Sequence, residues 1–256
     1  MDSEENDRRM AVQSVERAMR LLELLADRTE LTLGEMASMA HMHKSTAFRL
    51  LHTLMGLGYV GQDAEQGRYH VGVRLVETGG RAIRSWPLHR AAKATMEELA
   101  ESVGESVNLA VSDDLAMIYV ATVDARNLLR MQLNVGRRAP MHCTAVGKAI
   151  LAVNPSLVER LRLVQPSLET LTSRTFVQWR DLEAELARIR SRGFAIDDEE
   201  QEIGARCVAS AIVDARGRVH GALGISAPSA RLSLERAQQM GPVLVDAAQS
   251  IARHLA

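Results

Sequence analysis

Residues 32–58 read TLGEMASMAHMHKSTAFRLLHTLMGLG, and the fold of the N-terminal third turns on them. Thr32 followed three residues later by Glu35 is a capping-box pattern, which opens a short helix burying Leu33, Met36, Ala37 and Ala40. A turn at residues 41–43 leads into a second helix, predicted from about Lys44 to Met55 and stopped by Gly56 and Gly58. Its expected inward positions are Ala47, Phe48, Leu51, Leu54 and Met55. Two short helices joined by a tight turn make a helix-turn-helix shape. Upstream, Ser14 can cap a helix whose apolar positions Val15, Ala18, Met19, Leu22, Leu25 and Ala26 recur at helical spacing. Downstream, Tyr59-Val60, the turn-rich stretch 63–67 and Tyr69-His70-Val71 predict a small hairpin, the expected wing.

The charge pattern over this region is one-sided. From Met36 through Gln62 there is no Asp or Glu, while Lys44, Arg49 and histidines 41, 43 and 52 fall inside the window. An acid-free face of that kind suits a polyanion, although the net charge of the whole chain is only −1. The polar residues Ser45, Thr46, Arg49, His52 and Thr53 cluster opposite Phe48, Leu51 and Met55, so the helix can present them to a major groove, with Lys44 at its start a further candidate DNA contact. There an Arg can bond guanine bidentately while Ser and Thr bond phosphate. Arg68 at the wing tip is the remaining candidate DNA contact.

The rest of the chain is mixed. The 256 residues are 46% hydrophobic and 25% charged, globular values that exclude a disordered, collagen-like or rod-like chain and favour two domains. Apolar runs such as 117–123 are far shorter than the roughly 20 residues of a membrane span. Residues 1–9 lack the apolar core of a secretory signal, so a cytoplasmic location is expected. Cys143 and Cys207 are the only cysteines, and no disulfide framework is expected. The stretch from Val73 to about Thr95, with five basic residues against one acid, reads as a partly helical linker. Beyond it, alternation over 107–111 and 117–121 suggests a hairpin turning at Asp113-Asp114, and 208–213 with 219–225 a second one. Helices are expected over 145–153, from Asp181 to Gly193, and from about Ser233 to Leu255 despite Pro242. The pattern is α+β around an antiparallel sheet.

Three chemistries compete for the C-terminal half. His142-Cys143 could form an activated nucleophile, but chain neighbours seldom hold attack geometry and no Asn or Asp partner is evident. The two thiols with His142 and His220 could ligate zinc, yet the tight Cys-x-x-Cys spacing is absent. Alternatively, Thr144 caps a helix at Ala145 whose free amides hold an anionic group of a small molecule, with no catalysis. The acidic run 197–200 reads on charge alone as a solvated loop, though its position lets Asp197 point toward the same pocket. Hydrolysis by paired carboxylates fits poorly with a chain that is 3% aromatic.

The residues resemble the IclR-type bacterial transcriptional regulators over nearly the whole chain, from about Gln13 to Leu255. The similarity is carried by KSTAFRLL at 44–51, MHCTAVGKA at 141–149, and GFAIDDEE at 193–200 continuing to Gly204-Ala205-Arg206-Cys207. It implies a winged helix-turn-helix domain over 1–75, a linker helix over 76–92, and a GAF-like effector-binding and oligomerisation domain over 93–256. It further implies binding to a palindromic double-stranded operator as a dimer or tetramer, repression as the expected sense, and modulation by a small organic effector. No cofactor, metal or membrane is implied. By position, effector contacts would fall on the amides of Ala145 and Val146, on Asp197, on Cys207 and on Ser226. Two amides and a hydroxyl suit a carboxylate, and Asp197 a donor on the ligand. Gly224 stands where some members have a serine, and Ala145 where some have glycine. Leu128, Met131 and Leu133 could support an apolar ligand body. A cysteine-dependent enzyme and a protein-interaction adaptor are the rival classes.

Overall fold

A computed structural model describes residues 12–127 and 130–255, which form two compact units, one through Arg84 and one from Ser85. Leu128 lies outside the described residues. No helix among the described residues is long and apolar enough to cross a membrane.

The first unit contains α1 (Gln13–Asp27), α2 (Leu33–Met39), α3 (Lys44–Gly56), β1 (Val60–Gln62), β2 (Tyr69–Val71) and α4 (Val73–Ser85). The capping box at α2 is formed in both directions: the Glu35 amide donates to Thr32 Oγ1 at 3.3 Å, and the Thr32 amide to Glu35 Oε2 at 2.7 Å. His41 then takes φ 51°, the left-handed step that turns the chain into α3. Leu21, Leu25, Met36, Leu51, Val60 and Tyr69 meet in one core. The wing is an antiparallel pair, with Leu31 added to β2 by two backbone bonds to Tyr69 at 2.8 and 3.0 Å. In its tip the Asp63 carboxylate accepts the amides of Glu65 and Gln66, and Gly67 sits at φ 65°.

Three readings of the sequence need correction here. Ser14 does not cap α1, because the helix starts one residue earlier and its N-cap, Val12, makes no side-chain bond. Val15 and Met19 lie exposed while Leu21 is buried, so the buried stripe is rotated toward Leu21, Leu22 and Leu25. Phe48 is not a core residue: its side chain is 52% exposed, because Ala47, Leu51 and Leu54 already fill the inward face of α3.

The second unit opens with α5 (Pro87–Val103) and carries β3 (Ser106–Asp113), β4 (Ala116–Val123), β5 (Arg138–Pro140), α6 (Ala145–Val153), α7 (Pro155–Val164), α8 (Trp179–Arg192), β6 (Ala195–Asp198), β7 (Ala205–Val213), β8 (Val219–Pro228) and α9 (Leu234–Arg253). Residues 76–92 are thus covered by two helices broken at Trp86, with Pro87 at the first position of the second, where its missing amide costs nothing. The strands form one antiparallel sheet in the order β5-β4-β3-β8-β7-β6.

The two faces of this sheet differ. One carries Val107, Leu109, Val208, Leu223 and Ile225, packed against α5 and α9. The other carries Ala110, Ala195, Ala209 and Ala222, small residues over which α6 lies close. Two glycines permit close approach, Gly147 between α6 and the turn that leads into it, Gly224 between the sheet and α6. A Cβ on Gly147 would stand 2.3 Å from the Met141 carbonyl oxygen, and one on Gly224 would stand 3.1 Å from Val146 Cγ1. Helix α8 begins at Trp179 rather than Asp181, since the Trp179 indole is buried and donates to the Gln165 carbonyl at 3.0 Å. Gly193, at φ 84°, closes it. Helix α9 runs through Pro242.

Candidate functional site

In the first unit, Lys44, Ser45, Arg49 and His52 are exposed along α3, and Thr46 is half-buried. Phe48 stacks on His52, one turn later, with ring centroids 6.2 Å apart and planes 19° apart. Thr53 returns its hydroxyl to the Arg49 carbonyl at 3.0 Å and so stays on the helix. Arg68 sits at the wing, half-buried and 4.0 Å from Glu35, so it is shared with the carboxylate that caps α2. The Thr32 backbone and side-chain bonds, with Arg68 behind them, hold Glu35 below the usual carboxylate range. A cleft of about 470 Å³ next to α3 is lined by Arg17, Ser38, His41, His43 and Thr46. Arg17, on α1, is a cation beside the acid-free face that the sequence reading passed over, since it lies outside the 36–62 window.

In the second unit, the pairing register places Asp197 opposite Cys207, Cys207 opposite Ser226, and Ser226 opposite Ser106. These four residues form a row across β6, β7, β8 and β3 on the small-residue face of the sheet. The N-terminus of α6 lies over the adjacent row, where Gly224 admits Val146. Thr144 caps that helix as expected: Oγ1 accepts the Gly147 amide at 3.1 Å and donates to the Pro140 carbonyl at 2.8 Å. No acceptor among the described residues takes the Ala145 and Val146 amides, so both remain free donors of the first turn. Three of the five residues carried over by resemblance thus share one row, and the other two open the helix above the sheet.

The acidic run is not a solvated loop. Asp197 is 1% exposed, and its Oδ1 accepts the amides of Glu200 at 2.8 Å and Gln201 at 3.4 Å. Burial pushes its carboxyl up to about 6, against the pull of Lys148. Asp198 pairs with Arg206 and, at 2.7 Å, with Arg174. Glu200 is buried against Lys148, whose side chain is fully enclosed and donates also to the Ile196 carbonyl at 2.7 Å. Burial raises Glu200 to about 7 even beside that ammonium. Lys148 therefore ties α6 to β6, one residue from Asp197. Neither Lys148 nor Asn108, whose Nδ2 donates to Ser226 Oγ at 2.9 Å, was singled out from the sequence. The signal was a charged or amide residue at an otherwise apolar position, such as Lys148 within AVGKAILAV.

The thiols are unsuited to nucleophilic chemistry. Burial pushes Cys143 and Cys207 up to about 12, with Asp197 adding to both shifts. His142, held below its ordinary value by burial, donates from Nε2 to the Glu169 carbonyl at 2.9 Å rather than serving Cys143. His220 lies against Asp214 at 3.0 Å, and among the described residues no three His, Cys, Asp or Glu side chains are grouped to hold a metal ion. Leu133 is buried and Met131 half-buried, and their carbonyls accept the hydroxyls of Thr122 and Ser106 at 3.1 and 3.3 Å.

Comparison with known proteins agrees with both halves. Residues 14–64 match the IclR helix-turn-helix domain, and residues 80–253 match the bacterial transcriptional regulator IclR C-terminal domain. The chain is 34% identical over 245 residues to the transcriptional regulator KdgR of Escherichia coli, covering 96% of this chain and 93% of that one. It is 35% identical over 243 residues to the acetate operon repressor of Salmonella typhimurium, covering 94% and 89%. The crystal structure of an IclR homologue from Microbacterium hydrocarbonoxydans, complexed with 4-hydroxybenzoate, superimposes with a TM-score of 0.80 at 25% identity, covering 94% of this chain and 98% of that one. The relatives are regulators, not enzymes, and the cysteine-dependent alternative falls with the raised thiols. This chain belongs to the IclR family of DNA-binding transcriptional regulators.

Proposed function

We propose that this regulator is a cytoplasmic repressor that binds a palindromic operator as a dimer or tetramer and answers to a small organic carboxylate. In this reading residues 1–75 bind DNA, 76–92 link, and 93–256 bind the effector and self-associate. Lys44, Ser45, Thr46, Arg49, His52 and Arg68 contact the operator. The Ala145 and Val146 amides hold the carboxylate, Ser226 and Cys207 flank it, and Asp197 accepts from a donor on the ligand. The observation that carries the effector half is the pair of unclaimed amides above the row Asp197, Cys207 and Ser226. Repression is supported by the 35% identity to a relative named as a repressor.

A salt-dependent mobility-shift titration against the DNA upstream of its own gene, with an unrelated duplex as competitor, tests the operator half. Specific, competitor-resistant binding is expected. Affinity no greater than for the competitor overturns it. Arg49→Ala should weaken specific binding by about 1–3 kcal/mol while leaving binding to unrelated DNA nearly unchanged.

A further inference from the structure

On sequence periodicity Phe48 belongs in the core, yet 52% of it is exposed. It lies on the flank of α3 that carries Ser45, Arg49 and His52, not on the face of Leu51 and Leu54. Its ring is also held in place. The stack on His52 fixes its plane, and it borders a shallow cleft of about 410 Å³ together with Thr46, Arg49 and His52. No acid stands in the sequence from Met36 to Gln62, so nothing on α3 opposes the approach of DNA.

We propose that Phe48 reads the 5-methyl group of a thymine in the operator's major groove. This rests on the DNA-binding reading of α3 given above. In that groove thymine offers the O4 acceptor and the methyl, while cytosine offers an N4 donor and no methyl. A benzene ring makes no hydrogen bond, so the only base feature it recognises is the methyl. Contact buries both apolar groups, and the neighbouring Arg49 is left to hydrogen-bond to a base or phosphate. Phe48 thereby supplies T-over-C discrimination at the base pair it faces through an apolar contact.

The test uses the full-length protein. Binding sites are selected from a randomised duplex pool, and each thymine of the consensus is then replaced singly by uracil, which deletes the methyl alone. In the parent protein, uracil at one thymine per half-site should weaken binding about fourfold, the worth of one buried methyl group. In Phe48→Ala, thymine and uracil at that position should bind alike, whereas Arg49→Ala should keep the methyl dependence. Thermal melting of Phe48→Ala should match the parent, since the side chain supports no core contact. Three results overturn the proposal: uracil tolerated everywhere, a uracil penalty that survives in Phe48→Ala, or a changed oligomeric state in Phe48→Ala with methyl dependence intact. A pool that yields no consensus removes sequence-specific recognition altogether, while a consensus indifferent to uracil removes only the role of Phe48.

Discussion

Lys148 has no exposed surface, and its ion pair is with Glu200, with the buried Asp197 carboxyl also within reach of its charge. Removing one member of a buried pair leaves the other charge stranded, so Lys148→Met should destabilise the protein by about 3–5 kcal/mol in urea unfolding. The loss should be greater at pH 8 than at pH 5.5: Lys148 holds Glu200 down at about 7, so without it the carboxyl rises further and is still shedding stability at a pH where the parent has already ionised. Lys148→Met combined with Glu200→Leu should recover most of the loss, and failure to recover would show that the lysine stem, not the charge pair, is what matters. Asp197 offers a second residue-scale test. Its pKa is about 6 in the folded protein against 3.8 in the unfolded chain, so the native state binds the extra proton and this group costs stability as pH rises through that interval. The stability of Asp197→Asn minus that of the parent should therefore rise between about pH 4 and pH 6 and then level off. His142, lowered by burial, pulls the opposite way in each protein and cancels in the subtraction. A flat difference would mean that Asp197 is not desolvated. None of these ionisation effects was legible in the sequence, where DDEE looks solvated until neighbouring strands enclose it.

Elements whose start and stop signals are local were legible. The α2 capping box, the Thr144 cap, the start of the last helix at about Ser233, the Gly193 stop and the β7–β8 turn, where Asp214 accepts the amides of Arg216 and Arg218, all form where the residues indicate. Thr32→Ala should cost about 1 kcal/mol, read as a lower melting temperature of the first unit. Where tertiary packing sets the boundary, the sequence misleads. Helix α8 starts at Trp179 because a buried indole fixes it, and α1 turns its leucines rather than Val15 and Met19 inward. Strand β6 was missed because four residues, two of them acidic, carry no alternation signal. The turn leading into α6 sets its own demand: Gly147→Ala should destabilise by about 1–3 kcal/mol, since its methyl group meets the backbone of Met141. A neutral Gly147→Ala would mean that the turn at Met141 can shift away from α6.

At the scale of the whole molecule, the order of parts, a winged helix-turn-helix unit followed by a sheet domain, was readable because each part carries its own periodicity and motif. The candidate effector cluster was reached by resemblance, since partners such as Asp197 and Ser226 meet only through strand register. Coupling between the two units should follow thermodynamic reciprocity. A ligand that shifts operator affinity by about 1–3 kcal/mol must have its own affinity shifted equally by operator DNA, as calorimetry with and without the duplex can check. The burial of the proposed effector cluster bears on how fast such a response could be. Ala145, Asp197 and Ser226 are each no more than 2% exposed, whereas Cys207 between the last two is half-buried, so a ligand held there as proposed would meet solvent on the Cys207 side at most. On that proposal, entry past the buried residues requires local opening of the chain, and the rate of opening would set the rate of the response.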